Sequence, residues 1–435
     1  MFHEVMMDIK FIRENKELMK EVVKNKNSKV DIDQLIVVDD KRRTLISEVE
    51  KLKSDLNKRS KTKPGPEEIA ALKDLSAKIK EMDASLAEVE REYQSLMLLV
   101  PNIYSDDTPI GSDDTANREI SRHGKIPKFD FVPKDHITLG KELDLIDLEA
   151  GAKTSGYRGY YLKNEAVLLH FALLWHAINK MREKGFTLML TPSLLREFAL
   201  IGSGHFPEGK DEIYQIGNPG CLADGSVKEP TFLAGTSEPS LLAYFSDKTF
   251  SEEDLPIKVC GFSPCYRSEI GSYGKDTKGL YRIHEFMKVE QVILCKKNLE
   301  ESLEWLETLR GIAEEILHDL ELPYRVVQLS SGDMGTGKYK MYDIETYMPS
   351  MSSKNFYGET HSDSNLTDWQ ARRLNIKYKN KEGKTEFVYT LNNTVIASPR
   401  ILIAILENYQ QKDGSIKIPK ILQKYCGVKV IKAKK

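Results

Sequence analysis

Between residues 35 and 96 the apolar side chains fall on a heptad seam that is interrupted once, and no other feature of the chain restricts its folding as tightly. Leu35, Val38, Leu45, Val49, Leu52 and Leu56 keep alternating steps of three and four when Arg42 takes the skipped slot, and Leu72, Leu75, Ile79, Met82, Leu86, Val89, Tyr93 and Leu96 continue the pattern unbroken. The interruption, KTKPGPEE, holds Pro64, Gly65 and Pro66, which read as a helix stop, a turn and a helix start. Two amphipathic helices joined by so short a loop must fold back on each other as an antiparallel coiled coil, an arm of roughly 45 Å at about 1.5 Å per residue. Such an arm serves as a dimerisation coil or spacer. Alternatively, because Lys51, Lys53, Lys58, Arg59, Lys61 and Lys63 gather toward its tip, it contacts an extended polyanion; the bland account of the same charges is a solvated face.

At 435 residues the chain is long for one core, so two domains are expected. Its 40% hydrophobic and 30% charged content exclude wholesale disorder, and a net charge of -2 means that a nucleic acid would have to be met by local basic patches. Cys221, Cys260, Cys265, Cys295 and Cys426 form no CxxC pair and read as reduced, structural thiols. The start, MFHEVMMDIKFIRENKE, lacks the basic region and apolar run of a signal peptide, and no stretch approaches 18 apolar residues, so a cytoplasmic protein with no membrane partner is expected.

Residues 101–135, rich in Pro, Asp, Ser and Gly, have no sustained period and read as a linker. The expected organisation is a helical domain over 1–110, a linker over 111–135 and a second domain over 136–435. Within the last, NEAVLLHFALLWHAINKMREKGF has helical spacing, TLMLTP is a short strand stopped by Pro192, and IKVCGFSPCYR and GLYRIHEFMKVEQVIL alternate. LEESLEWLETLRGIAEEILHDL and RILIAILENYQ are helices. Strands in hairpins with helices between them predict an α+β fold, an antiparallel sheet with helices packed on it.

The hairpin FSPCYRSEIGSYGKDTKGLYRIHEFMKVEQ carries the densest chemistry. Strand parity puts Arg267 with Glu269 on one face, and His284, Phe286, Lys288 and Glu290 on one face, with Ile283, Met287 and Val289 opposite. A phenylalanine in that polar row suits a purine nucleotide, the ring stacking on the base while a carboxylate accepts from its amine and arginine meets phosphate. ATP is the obvious candidate, and the tip, with Gly271, Gly274, Gly279, Lys275 and Lys278, could reach phosphate or an RNA end. An exposed hairpin with surface ion pairs is the bland alternative. A rival phosphate signal, GDMGTGK at 332–338, fails the P-loop pattern because Tyr339 stands where a Ser or Thr is required; it reads instead as a glycine-rich turn entering the strand KYKMYDIETYMP.

With these segments in view, the hairpin resembles motif 2 of class II aminoacyl-tRNA synthetases, and the order of motifs resembles the seryl-tRNA synthetase family nearly end to end. MMDIKFIRENKE is similar to that family's opening, the coiled coil to its tRNA-binding arm, and YRGYYLKNEAVLLHFALLWHAINKMREKGFTLMLTP to motif 1. GTSEPSLLAYF is similar to its Thr-x-Glu segment, and TVIASPRILIAILENYQ to motif 3 with Arg400. The resemblance implies a ligase that activates L-serine with ATP and transfers the seryl group to tRNA(Ser), with tRNA(Sec) left open. It also implies a homodimer whose arm engages the tRNA.

The same resemblance assigns residues. Arg267 would bind the α-phosphate and the serine carboxylate, with Arg400 its catalytic partner. Ser268, Glu269, Ile283, Phe286, Glu359, Thr360, His361 and Ser362 would complete the ATP site, Glu269 reading the adenine amine and Phe286 with Arg400 sandwiching the base. Glu359 and Ser362 would hold magnesium, which takes hard oxygen ligands. Thr236, Ser237, Glu238, Glu290 and Thr394 would contact serine, whose hydroxyl and ammonium are best selected by buried polar partners. Two segments depart from the commoner family patterns: NNTVIASPR stands for a glycine-rich stretch, and ETHSDSN puts His361 where a small hydroxyl often sits. No cysteine set suggests a zinc-dependent variant, so no zinc is expected. Rival readings are a synthetase-like paralogue charging a non-tRNA carrier, which should lack the arm, and an inactive RNA-binding regulator, which should lack Arg267 or Arg400.

Overall fold

Asp31 opens the first arm helix by accepting from the backbone N–H of Asp33 and Gln34 at 2.8 and 3.1 Å, which leaves the seam residues that follow free to face one partner. In this computed structural model, which describes residues 8–61, 65–218, 220–270, 279–352 and 355–433, helix α1 spans Ile32–Arg59 and helix α2 spans Pro66–Leu98. Pro66 sits in the first turn of α2 behind Gly65, as its fixed φ favours. Leu35, Val38, Val49, Ile79, Val89 and Tyr93 are buried along the seam.

The helices run antiparallel, tied by Arg42 to Glu90 at 2.7 Å, Lys53 to Asp83 at 2.9 Å and Arg59 to Glu68 at 2.8 Å. Arg42 occupies the skipped seam position with its guanidinium 4.5 Å from the centre of the Tyr93 ring, so a cation–π contact replaces an apolar knob. Two of the basic residues near the tip, Lys53 and Arg59, are thus engaged across the arm, whereas Lys51, Lys58 and Lys61 are exposed. Lys63, Pro64, the first seven residues and the hairpin tip with Gly271, Gly274, Lys275 and Lys278 lie outside the described residues.

The chain divides into Met1–Ile103 and Tyr104–Lys435. The segment 111–135, read from composition as a linker, belongs to the second unit: Arg118–His123 is an edge strand pairing with Tyr324–Gln328. Residues 104–110 also join that unit, Ser105 N–H donating to the Tyr339 carbonyl at 2.9 Å and Asp107 pairing with Lys340 at 2.6 Å. Composition hid the strand because it is a short, polar, exposed edge, the usual way an edge avoids further pairing.

The second unit is built on an eight-stranded sheet. Its strands are β1 (Arg118–His123), β2 (Thr187–Leu190), β3 (Ile257–Tyr266), β4 (Glu285–Cys295), β5 (Tyr324–Gln328), β6 (Lys340–Tyr347), β7 (Tyr357–Thr367) and β8 (Tyr389–Ala397). Their spatial order is β1-β5-β6-β7-β8-β4-β3-β2, antiparallel throughout except that β2 pairs parallel with β3. Helices α3 (Glu165–Glu183), α4 (Leu299–Asp319) and α5 (Ser398–Asn408) pack against the sheet through a shared apolar core. Gln291 and Asn393 donate side-chain N–H bonds to the Leu309 carbonyl of α4, so Glu290, Asn392 and Thr394, of opposite parity, are left for the other face.

Candidate active site

One cavity on that other face gathers side chains from six separate stretches of chain. Strand β4 contributes Phe286, Lys288 and Glu290, the row that parity isolated, while Val289 between them is buried in the core. Arg267 and Glu269 also line the cavity, but not through strand parity: β3 ends at Tyr266, and Glu269 sits in the left-handed region at φ 54°. An ion pair holds it there, Arg282 donating to its Oε2 at 3.1 Å.

A β-bulge decides the opposite wall. Ile344 and Glu345 of β6 face His361 and Glu359 of β7, so Thr360 is the extra residue. Glu359 and Ser362, three apart and of opposite parity, therefore both reach the cavity with Thr360. Arg400, in the first turn of α5, lies 4.4 Å from the centre of the Tyr281 ring and pairs with Glu359 at 3.1 Å. Desolvation pushes the Glu359 carboxyl up, but Arg400 and Arg267 override it and hold the group below its ordinary value. Arg267 stands 5.4 Å from the centre of the Phe286 ring and donates from Nε to the Gly235 carbonyl at 3.3 Å.

At the other end two buried carboxylates lie close together. Glu290 faces Thr394 across the β4–β8 ladder, accepts from its hydroxyl at 3.4 Å and pairs with Lys288 at 2.6 Å. Burial nonetheless pushes its carboxyl up, with Lys288 opposing and the charge of Glu238 adding to the rise. Glu238 is positioned by a close approach: a Cβ on Gly261 would lie 2.7 Å from the Ser237 Cβ, so glycine there lets the segment 236–238 lie against β3. Gln370 and Asn392 donate to Glu238 Oε1 at 2.6 and 2.9 Å. Burial, the largest single influence, pushes this carboxyl up as well, but Lys338 foremost, together with the Gln370 hydrogen bond and other nearby positive groups, holds it low.

Three residues named from sequence do not face the cavity. Ser237 is fully buried and accepts from Ser263 Oγ at 3.3 Å. Ser268 turns outward and donates to the Asp211 carbonyl at 2.9 Å. His361 is buried behind the wall, spanning Thr360 Oγ1 at 2.9 Å and the Val395 carbonyl at 3.1 Å, and burial lowers its pKa to about 4, so it stays neutral. Thr236, Glu238, Arg267, Glu269, Ile283, Phe286, Glu290, Glu359, Thr360, Ser362, Thr394 and Arg400 are all brought together.

The lining also includes His205, Tyr281, Lys338 and Asn392, none of which was singled out from sequence as a site residue. Parity with Thr394 on the same strand was an available signal for Asn392. The motif holding Lys338 reads as a glycine-rich turn entering a strand and not as a phosphate loop, and the structure bears this out, with β6 beginning at Lys340; that reading gives Lys338 no role in the site. His205 lies on a loop, with no periodicity to expose it.

Comparison with known proteins fits this geometry. The seryl-tRNA synthetase N-terminal domain family matches residues 6–104, and the tRNA synthetase class II core domain family (G, H, P, S and T) matches residues 224–409. The serine–tRNA ligase of Treponema denticola is 43% identical over 430 residues, covering 97% of this chain and 99% of that protein. The chain belongs to the seryl-tRNA synthetase family.

Solved structures of that family superpose on nearly the whole chain. The seryl-tRNA synthetase of Pyrococcus horikoshii, solved in complex with ATP, has a TM-score of 0.88 at 35% identity and covers 99% of this chain and 100% of its own. The cytoplasmic serine–tRNA ligase of Naegleria fowleri, solved with AMP, has a TM-score of 0.86 at 31% identity with full coverage of both chains. The α+β fold expected from sequence is therefore that of the seryl-tRNA synthetase family, with the arm in its N-terminal domain.

Proposed function

We propose that the chain ligates serine to tRNA in two steps, with ATP at the Phe286 and Arg400 end of the cavity and serine at the Glu238 and Glu290 end. The observation that carries this reading is Arg267, which lines the cavity against the Phe286 ring and also lines the adjoining cavity with Glu238. A serine carboxylate oxygen attacks the α-phosphorus, the bond to the bridging oxygen breaks, and pyrophosphate leaves with its electron pair. No protein nucleophile is needed. Arg267 and Arg400 neutralise charge on the phosphoryl oxygens, and the backbone N–H groups that open α5 favour anions at the same wall.

Glu359 and Ser362 offer hard oxygens for magnesium, and Asp343 beside Ser362 in the ladder has a buried Oδ1 without a hydrogen-bond partner, which fits a cation nearby. When bound, magnesium would neutralise phosphate charge. Carboxylates from Glu238 and Glu290 meet the serine ammonium, while Thr236 and Thr394 stand within reach of small polar groups. The adjoining cavity, which shares His205, Glu238, Arg267, Glu269 and Lys338, is the approach for the tRNA 3′ end.

Exposed lysines toward the tip of the arm, Lys51, Lys58 and Lys61, are its contacts to the tRNA phosphates. A homodimer is supported by an apolar surface on α3, where Leu168, Phe171 and Trp175 are exposed at helical spacing, and by exposed Leu188 and Leu190 on the edge strand β2. Among the described residues no helix is long and apolar enough to cross a membrane. The direct test is charging of purified tRNA with labelled serine: the wild-type chain should form acid-precipitable seryl-tRNA, and Arg267→Ala should lose about a thousandfold in rate with unchanged thermal stability. Equal charging by the two proteins would rule out the role given to Arg267.

A further inference from the structure

The turn at 332–338, which resembles a phosphate loop by composition, delivers its lysine to the amino-acid end of the site. Lys338 lines both cavities, and its Nζ stands 4.0 Å from Glu238 Oε1. The delivery is built in. Lys338 N–H donates to the Gly335 carbonyl at 3.0 Å and Tyr339 N–H to the Asn365 carbonyl at 2.7 Å, fixing both sides of the residue. A Cβ on Gly337 would lie 2.5 Å from the Trp369 ring, so only glycine lets the turn lie flat on that indole. The Trp369–Leu374 helix that carries this ring also carries Gln370, a direct partner of Glu238.

We infer that Lys338 is a positioning residue for serine, acting through Glu238. The inference rests on the proposed function. Glu238 meets His205 from the loop after Glu197–Ser203, Lys288 and Glu290 from β4, Gln370, Asn392 from β8, and Lys338. His205 is neutral, since burial lowers its pKa to about 4, and Lys288 is paired with Glu290 at 2.6 Å. Lys338 is therefore the cation that answers the buried carboxylate. Among the described residues Gln370, Asn392 and Lys338 all approach Oε1, leaving Oε2 for an incoming ammonium. A lysine standing off at this distance keeps the carboxylate charged without filling the ammonium position.

The test uses the full-length chain, with the wild type, Lys338→Met and Lys338→Arg compared in serine-dependent pyrophosphate exchange from pH 6 to pH 8.5. Loss of the cation lets Glu238 protonate more readily. The serine KM of Lys338→Met should therefore exceed that of wild type, and the ratio should grow as pH falls, approaching about tenfold for each pH unit below the raised Glu238 pKa. The KM for ATP and kcat at saturating serine should stay within about twofold. Lys338→Arg, which keeps the charge, should restore most of the serine affinity, and this variant decides the matter should Lys338→Met fail to fold. An unchanged or lowered serine KM in Lys338→Met, a rise independent of pH, or equal damage in Lys338→Arg would overturn the inference. Absence of serine-dependent exchange in the wild type would instead strike the proposed function itself.

Discussion

Glu290 and Glu238 show at the residue scale how one pocket pushes two buried carboxyls in opposite directions. Glu290 has its pKa raised by burial, which outweighs Lys288. Its ionised form thus costs stability at neutral pH, and that cost is relieved as pH falls through the raised value. Serine binding needs the ionised form, so serine KM should climb as pH drops through that value, above the usual glutamate range. In thermal-shift titrations the stabilisation by serine should shrink over the same interval; a serine-induced shift that stays constant down to the ordinary glutamate pKa would contradict this. The burial of Ser237 yields a second prediction. Because its hydroxyl meets Ser263 and not the cavity, Ser237→Ala should leave serine KM within about twofold, whereas Thr236→Ala should raise it several-fold. Family resemblance named both residues and could not separate them, since only the packing of Ser237 against Gly261 turns it inward.

At the scale of elements, the heptads were legible because the period and the Pro–Gly–Pro stop are local signals. Both arm helices formed where those signals put them. Strand alternation likewise identified Phe286, Lys288 and Glu290. It could not find the bulge at Thr360, which depends on the partner strand and brings Glu359 and Ser362 to one side. Nor could it find β1, which has no apolar face to reveal it. If the arm binds tRNA and takes no part in adenylate formation, removing residues 40–90 should leave serine-dependent exchange within about threefold of wild type and abolish charging. Loss of both activities together, in a protein that melts as cooperatively as wild type, would count against that division.

At the scale of the molecule, the proposed function gives the two units two tasks of one reaction. The arm carries exposed lysines, Lys51, Lys58 and Lys61 among them toward its tip, while every cavity residue assigned above lies in the second unit. The order of motifs made that division readable from sequence, but the boundary at Ile103 and the cavity wall carrying Lys338 depend on contacts between residues far apart in the chain. The central claim is that this cavity activates serine with ATP. Pyrophosphate exchange with each amino acid in turn, without tRNA, tests it most directly. The account predicts exchange that depends on serine and exceeds the signal from alanine, threonine and cysteine by at least about a hundredfold; exchange with another amino acid in preference to serine, or with none, would contradict it.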